Sequence, residues 1–408
     1  MPEPHIITLG CRLNAAESES IRALNAGRDL VVVNSCAVTQ TAVTETRAAI
    51  RRARRDHPAA ELVVTGCAAQ LDPAGFAAMA EVDRVIGNGE KLSPAAWSGD
   101  APVVVGDIMR VAETAPHLAA SFARHVRAFV EVQNGCDHRC TFCIIPFGRG
   151  NSRSAPVETV VARVAGLVAA GHREIVLTGV DLTSYGPPSL AALVKAILLG
   201  VPGLERLRLS SLDSIEIDDA LFELVTGEAR IMPHLHLSLQ AGDDMILKRM
   251  KRRHARAEAV RMVERLKARR DIAIGADLIA GFPTETEAMF ANTLALIDDC
   301  DIVHAHIFPY SPRKGTPAAR MPQVPHEVRR ARAAALRARA AERRAAWLDT
   351  LVGSVQPVLV ERPGTRGHAP GFAEIDCPAL PVGAIVPLLV TASDGTRLTG
   401  VPQVALAA

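Results

Sequence analysis

The sequence predicts an α/β protein in three parts: an N-terminal parallel α/β unit over 1–120, a partial (β/α)6 barrel over 121–352, and a small β-barrel over 353–408. Three observations predict it. Short apolar runs alternate with helix-period stretches through the first 90 residues. The alternation resumes in six longer units from Ala128, and helical periodicity stops after Gly353. Such alternation favours parallel sheets covered by helices, because each apolar face needs a partner layer.

In the first unit, His5–Leu9, Leu30–Val33 and Glu61–Val64 read as strands. Helical spacing follows at Asn14–Asn25, at Thr41–Arg55 and from Pro73. Residues 93–120 show no clear periodicity and read as a connection. The barrel strands are expected at Ala128–Val132, Glu174–Leu177, Arg206–Leu209, His234–Leu239, Ile272–Leu278 and Ile302–Ile307. Helices near 157–170, 189–199, 218–227, 244–268 and 285–299 separate them. A long Arg/Ala helix covers Val324–Asp349, and Gln356–Val360 and Ile385–Thr391 begin the terminal barrel.

Composition narrows the function. At roughly 150 residues per domain, 408 residues make about three domains. With 49% hydrophobic and 22% charged residues the chain reads as a soluble globular protein. A net charge of +2 excludes a uniformly basic nucleic-acid binder but leaves room for basic islands. The most apolar run, near 189–201, is interrupted by Lys195, so no membrane partner is expected. Met1–His5 shows no secretory signal, so a cytoplasmic location is expected, where thiols stay reduced. The eight cysteines then call for a role other than disulfides.

Three of them stand in Cys136-Asp-His-Arg-Cys140-Thr-Phe-Cys143, just after the first barrel strand. Loops there lie at the catalytic mouth of parallel barrels. A structural zinc closes with four ligands, so zinc would need His138 or a distant residue as well. A four-iron cluster on three cysteines instead leaves one iron open. Another trio, Cys11, Cys36 and Cys67, earlier in the chain, follows three predicted strand ends, which a parallel sheet lines up along one edge. Three small buried thiols are the plain alternative.

The first motif, with Phe142 before its last cysteine, resembles the radical S-adenosylmethionine (SAM) superfamily. That resemblance implies a [4Fe–4S] cluster on Cys136, Cys140 and Cys143, with SAM on the open iron as source of a 5′-deoxyadenosyl radical. Two trios in this order resemble the methylthiotransferases of that superfamily. So do the stretches Leu207–Leu212, His236–Gln240, Leu247–Arg253 and Gly275–Glu285, and the likeness extends to a TRAM-like C-terminal barrel. It implies a second [4Fe–4S] cluster on Cys11, Cys36 and Cys67. One SAM would then donate a methyl group to sulfur there, and another would yield the radical that activates a C–H bond of the substrate.

The resemblance also marks lesser positions. Gly179 and Asp181 end the second barrel strand, where the superfamily often holds the SAM amino group on a Gly-Gly-Glu-like segment; this chain departs from that pattern. A helix cap is the alternative for Asp181. Ser211 and Gln240 lie at the next two strand mouths and would face the SAM ribose and carboxylate, or make barrel-mouth hydrogen bonds with no ligand. Gly281 would let adenine approach closely. His234 and His236 share one strand face, as do His304 and His306; a metal pair is weighed there against polar interior packing. Cys300 and Cys377 are expected to be inert.

Basic islands at Arg47–Arg55, Lys248–Arg253 and Arg329–Arg344 offer a phosphate surface, with Arg337, Arg339 and Arg343 as expected RNA contacts. The terminal barrel, with three Arg, no Lys and four acids over 354–408, is less suited to RNA. Phe308–Pro317 and Gly148–Ser154 look most like the enzymes that act on N6-threonylcarbamoyladenosine at position 37 of tRNA. Isopentenyladenosine and a ribosomal-protein aspartate are the alternative substrates. A non-catalytic iron–sulfur RNA-binding or redox-sensing protein is the alternative class. The expected partners are tRNA, an electron donor and a sulfur source, with the chain acting as a monomer.

Overall fold

The computed structural model describes residues 3–112 and 126–403, so the expected boundary at 120/121 lies outside the described residues. The N-terminal unit is a five-stranded parallel sheet in sequential order: His5–Thr8, Leu30–Ser35, Glu61–Gly66, Arg84–Ile86 and Val103–Val104. The first three match the expected strands; the last two, of three and two residues, are too short to show a period. Leu30–Ser35 is buried at every position, as befits a strand covered on both faces. Helices Arg12–Leu24 and Gln40–Asp56 occupy the crossovers, and Thr39 caps the second by accepting from the Ala42 amide at 3.1 Å.

The six barrel strands all form: Arg127–Glu131, Glu174–Thr178, Arg206–Leu209, His234–Gln240, Ala273–Ala280 and Ile302–Pro309. They pair in parallel as two three-stranded ladders, joined by bridges Leu207–Ile231 and Leu212–Leu237. Leu235, Leu237, Ile274 and Leu278 pack outward with Val263, Leu266, Leu296 and Ile297 of the surrounding helices. Their alternates, including His234, His236, Asp277, His304 and His306, therefore face the lumen.

The expected helix 244–268 is two helices, Asp244–Met250 and Arg256–Arg269. Lys251 takes a left-handed conformation, φ 58°, and the amide of Arg252 returns to the Leu247 carbonyl at 2.9 Å. No glycine or proline marks this break, so helical periodicity runs straight through it.

The N-terminal unit packs against the open side of the barrel. Ala16 of helix Arg12–Leu24 joins the barrel core, and Gln40 bonds Ser311 and Arg313 beyond the last barrel strand. The long helix runs from His326 to Thr350 and ends on a closed five-stranded barrel. The strand order there is Val355–Glu361, Arg366–His368, Glu374–Asp376, Leu398–Pro402, Ile385–Ser393. Leu348 enters its core beside Val358, Ile375 and Leu388. This small barrel covers the N-terminal ends of the large barrel's strands. Arg208 donates to the carbonyls of Ala369 and Pro370, and Phe372 stacks on His234 with centroids 5.1 Å apart.

Candidate metal and cofactor centre

The sheet of the N-terminal unit gathers Cys11, Cys36 and Cys67, which are 25 and 31 residues apart, at one edge. Asn14 holds the first loop there, its amide donating to the carbonyls of Leu9 at 2.7 Å and Ser35 at 3.0 Å. Gly10, φ 99°, faces Cys36 so closely that a Cβ would stand 2.9 Å from its sulfur. Ser35 Oγ accepts from the Ala68 and Ala69 amides at 3.2 Å, fixing the helix that begins with Cys67. Burial pushes the Cys36 thiol up to about 11, and the neighbouring Cys67 and Cys11 push the same way.

The second trio follows the first barrel strand. Gly135, φ 72°, turns the chain; the Cys136 amide bonds the Gly150 carbonyl at 3.1 Å, and the Thr141 amide bonds Met250 at 3.1 Å. These contacts leave three sulfurs on one tight loop. Cys136 is pushed up to about 12 by burial, then by Asp181 and its fellow thiols; Cys143 is pushed up to about 11 mainly by burial. All eight cysteines are free.

Positive charge waits beside both trios. Arg149 Nη1 and Nη2 bond Glu17 at 2.8 and 3.0 Å, and buried Lys91 reaches the same carboxylate at 2.6 Å. Arg149 and Lys91 share one carboxylate there, beside Cys67; burial lowers the Arg149 guanidinium, but its anionic surroundings, Glu17 among them, outweigh that and raise it. At the second trio, Arg252 Nη1 stands 3.7 Å from Cys140 Sγ while Nη2 is fixed by Asp213 and Ser238 at 2.7 Å. Buried thiols that resist ionisation, with basic side chains beside them, fit thiolate-ligated clusters of net negative charge.

The two sites adjoin. The short helix Ile145–Arg149, directly after Cys143, lays Gly148 against Cys67, where an added Cβ would meet Cys67 Cβ at 3.4 Å. Asn88 bridges the contact, donating to the Gly148 carbonyl at 2.5 Å and to Cys67 Sγ at 3.6 Å.

The other expected residues divide. Asp181 lies at the second trio, 3.7 Å from Cys136 Sγ, and its carboxylate also receives Ser184 Oγ at 2.7 Å and His138 Nε2 at 2.9 Å. It does not cap the turn that follows it. His138 thus groups with Cys136 and Asp181. Gly179 fits tightly against Gln133, and Phe142 packs edge-on to Phe282 at 6.4 Å. Ser211 is half-buried beyond the third strand, and Gln240, φ 67°, ends the fourth. Gly281, φ 70°, follows the fifth strand, with Arg329 of the long helix where a Cβ would stand. Arg337 donates to the Ile307 carbonyl at 3.1 Å, Arg339 pairs with Asp298 and Glu342 at 2.7 Å, and Arg343 pairs with Asp301.

Sequence reasoning missed Asn14, Asn88, Arg149 and Arg252. Asn14 lies three residues beyond Cys11, a spacing that in a helix points back at the loop. Asn88 comes from a distant segment with no local signal, Arg149 lies six residues past Cys143 but serves the other trio, and Arg252 reads only as part of the basic island Lys248–Arg253.

A parallel barrel with three thiols on its first loop, beside an α/β unit with three more, defines a radical SAM enzyme with an added cysteine-bearing domain. Comparison with known proteins agrees. Residues 130–297 match the radical SAM superfamily, and residues 3–87 match the uncharacterized protein family UPF0004. Threonylcarbamoyladenosine tRNA methylthiotransferase MtaB of Rickettsia prowazekii is 53% identical over 81% of this chain and 81% of its own length. The protein of that name from Aquifex aeolicus is 37% identical over 80% and 84%. A tRNA-2-methylthio-N(6)-dimethylallyladenosine synthase of Maricaulis maris is 33% identical over 97% and 96%. The radical SAM methyltransferase TsrM of Kitasatospora setae, solved with cobalamin and a [4Fe–4S] cluster, shares the fold at TM-score 0.55 and 20% identity, over 76% of this chain and 69% of its own. The chain belongs to the radical SAM methylthiotransferase family. No helix among the described residues is long and apolar enough to cross a membrane.

Proposed function

We propose that this chain transfers a methylthio group to C2 of N6-threonylcarbamoyladenosine at position 37 of tRNA, using two [4Fe–4S] clusters and SAM. The observation that carries the reading is the Cys67–Gly148 contact, which sets one thiol trio directly against the helix that follows the other. The names of the more similar relatives support the nucleoside. We keep the division at 1–120, 121–352 and 353–408, and assign the thiols, Phe142, Gly179, Asp181, Ser211, Gln240 and Gly281 to cluster and SAM binding.

When bound, the clusters supply electron transfer to SAM and a site where sulfur is methylated; the protein's own residues do the rest. Cys136, Cys140 and Cys143 hold one cluster, and Arg252 directs a donor at the Cys140 sulfur, which stabilises its negative charge. Cys11, Cys36 and Cys67 hold the other, with Asn88 donating to Cys67 Sγ. Asp181 stands 3.7 Å from Cys136, where it can accept from the SAM amino group. The C-terminal barrel covers the opposite end of the lumen, so the reaction chamber opens on the thiol side. No acid–base dyad is required, because hydrogen abstraction and sulfur transfer move atoms rather than protons.

Nucleoside mass spectrometry of tRNA from cells lacking this protein tests the reading. Loss of the methylthio group from threonylcarbamoyladenosine is expected. Loss confined to the isopentenyl nucleoside overturns the substrate, and absence of 5′-deoxyadenosine from anaerobically reconstituted protein given dithionite and SAM overturns the chemistry.

A further inference from the structure

Three side chains in the barrel lumen belong to neither thiol site. His236 Nε2 and His306 Nδ1 both bond Oδ1 of Asp277, at 3.0 and 3.2 Å. They stand on three adjacent parallel strands, with Asp277 directly opposite His306 in the register and the two imidazoles 4.5 Å apart. Asp277 is therefore held as a carboxylate, and both rings spend one nitrogen on it.

What remains open is one edge. The His306 side chain is 59% exposed, against 7% for His236, so its Nε2 is the part of the group that an entering molecule meets. Phe308, two residues nearer the strand end on the same face, is 40% exposed. Two residues along a strand are about 7 Å, the span from a purine ring to the tip of a short substituent. Below the group the lumen is shut: His234 and His304 pack at 5.0 Å, and Phe372 stacks beneath them. A planar apolar surface nearer the mouth and a fixed polar group below it suit an aromatic base with a polar tail.

We propose that His236, Asp277 and His306 recognise the N6 substituent of the target nucleoside, with His306 Nε2 bonding the hydroxyl or carboxylate end of a threonylcarbamoyl group. This rests on the function proposed above and deepens it. The relatives act, by their names, on N6-threonylcarbamoyl- or N6-dimethylallyladenosine. These tails differ in polarity. A dimethylallyl tail would leave the polar group desolvated and unpaired, and a site built for hydrogen bonding discriminates strongly against an analogue that lacks the partner.

The test compares anaerobically reconstituted wild type, H306L and H306Q on tRNA bearing either nucleoside, with kcat/KM read by nucleoside mass spectrometry. Iron content and tRNA-independent SAM cleavage serve as folding controls. H306L is expected to lose about 10- to 100-fold on the threonylcarbamoyl substrate, the range for a hydrogen bond to a charged group, with the controls unchanged and a smaller loss in H306Q. An unchanged preference in H306L, while the wild type acts on threonylcarbamoyladenosine, overturns this inference alone. A wild type inert on that substrate overturns the parent reading and this one with it. Loss of one non-cluster metal equivalent in H306L shows a metal site instead and also overturns it.

Discussion

Arg149 and Glu17 are joined by two parallel hydrogen bonds, Nη1 to Oε1 at 2.8 Å and Nη2 to Oε2 at 3.0 Å, with both side chains 2% exposed. The pair ties the helix after Cys11 to the helix after Cys143, and so fixes one thiol trio relative to the other. Burial pushes the Glu17 carboxyl up, but Arg149 and Lys91 outweigh it and hold it at about 2, below its ordinary 4.5. A depressed carboxylate stabilises the fold above its unfolded value and loses that contribution as pH falls through the folded one. Stability is therefore expected to drop between about pH 4.5 and 2, by about 3 kcal/mol from this group. E17Q should lose about 3–5 kcal/mol at neutral pH, because two buried cations lose their carboxylate. Denaturant unfolding across pH measures both.

The trios should be separable. C36A is expected to retain about four of eight iron atoms and to cleave SAM, yet form no methylthio product. C140A should keep the other four and cleave none. Iron and sulfide analysis beside 5′-deoxyadenosine yields distinguishes the cases; loss of all eight iron atoms from either variant, or of SAM cleavage from C36A, would contradict two independent clusters.

Arg252 is expected to tune the radical cluster without ligating it. Loss of an outer hydrogen bond to a ligand sulfur costs about 10–100-fold in metal affinity or activity. R252A should show that loss in SAM cleavage together with a more negative cluster potential, since a positive charge near Cys140 is removed. A potential identical to wild type would make Arg252 a mere bridge between Asp213 and Ser238.

Phe372 should matter to stability rather than chemistry. Its ring lies under the guanidinium groups of Arg208, Arg127 and Arg12 at 4.9, 5.0 and 5.6 Å. F372A is expected to cost about 2 kcal/mol, the loss of half-buried ring packing and cation–π contacts. Thermal unfolding should show it with the iron content unchanged.

The basic helix offers less free charge than its composition implies, because Arg339 and Arg343 are already paired with acids. Replacing Arg337, Arg339 and Arg343 by Ala should weaken tRNA binding and lower the salt slope by about one. A fall near three would mean that the ion pairs open on the phosphate backbone.

The barrel strands were legible because each carries its own local pattern. So were the thiols of the second trio, because eight residues hold all three. Convergence of Cys11, Cys36 and Cys67 followed from strand ends alone, since parallel topology leaves those ends one common edge. Arg252 was not legible. It reaches Cys140 through a helix break at Lys251 that neither glycine nor proline announces.

What the chain determines by itself is periodicity, thiol spacing and the order of its parts, all encoded within a few residues or along one strand register. Only the tertiary structure decided which charges meet. Glu17 with Arg149, Asp277 with His236 and His306, and Arg339 with Asp298 are 132, 41, 29 and 41 residues apart. Coulomb attraction and hydrogen bonding act over a few ångströms of space and are blind to separation along the chain.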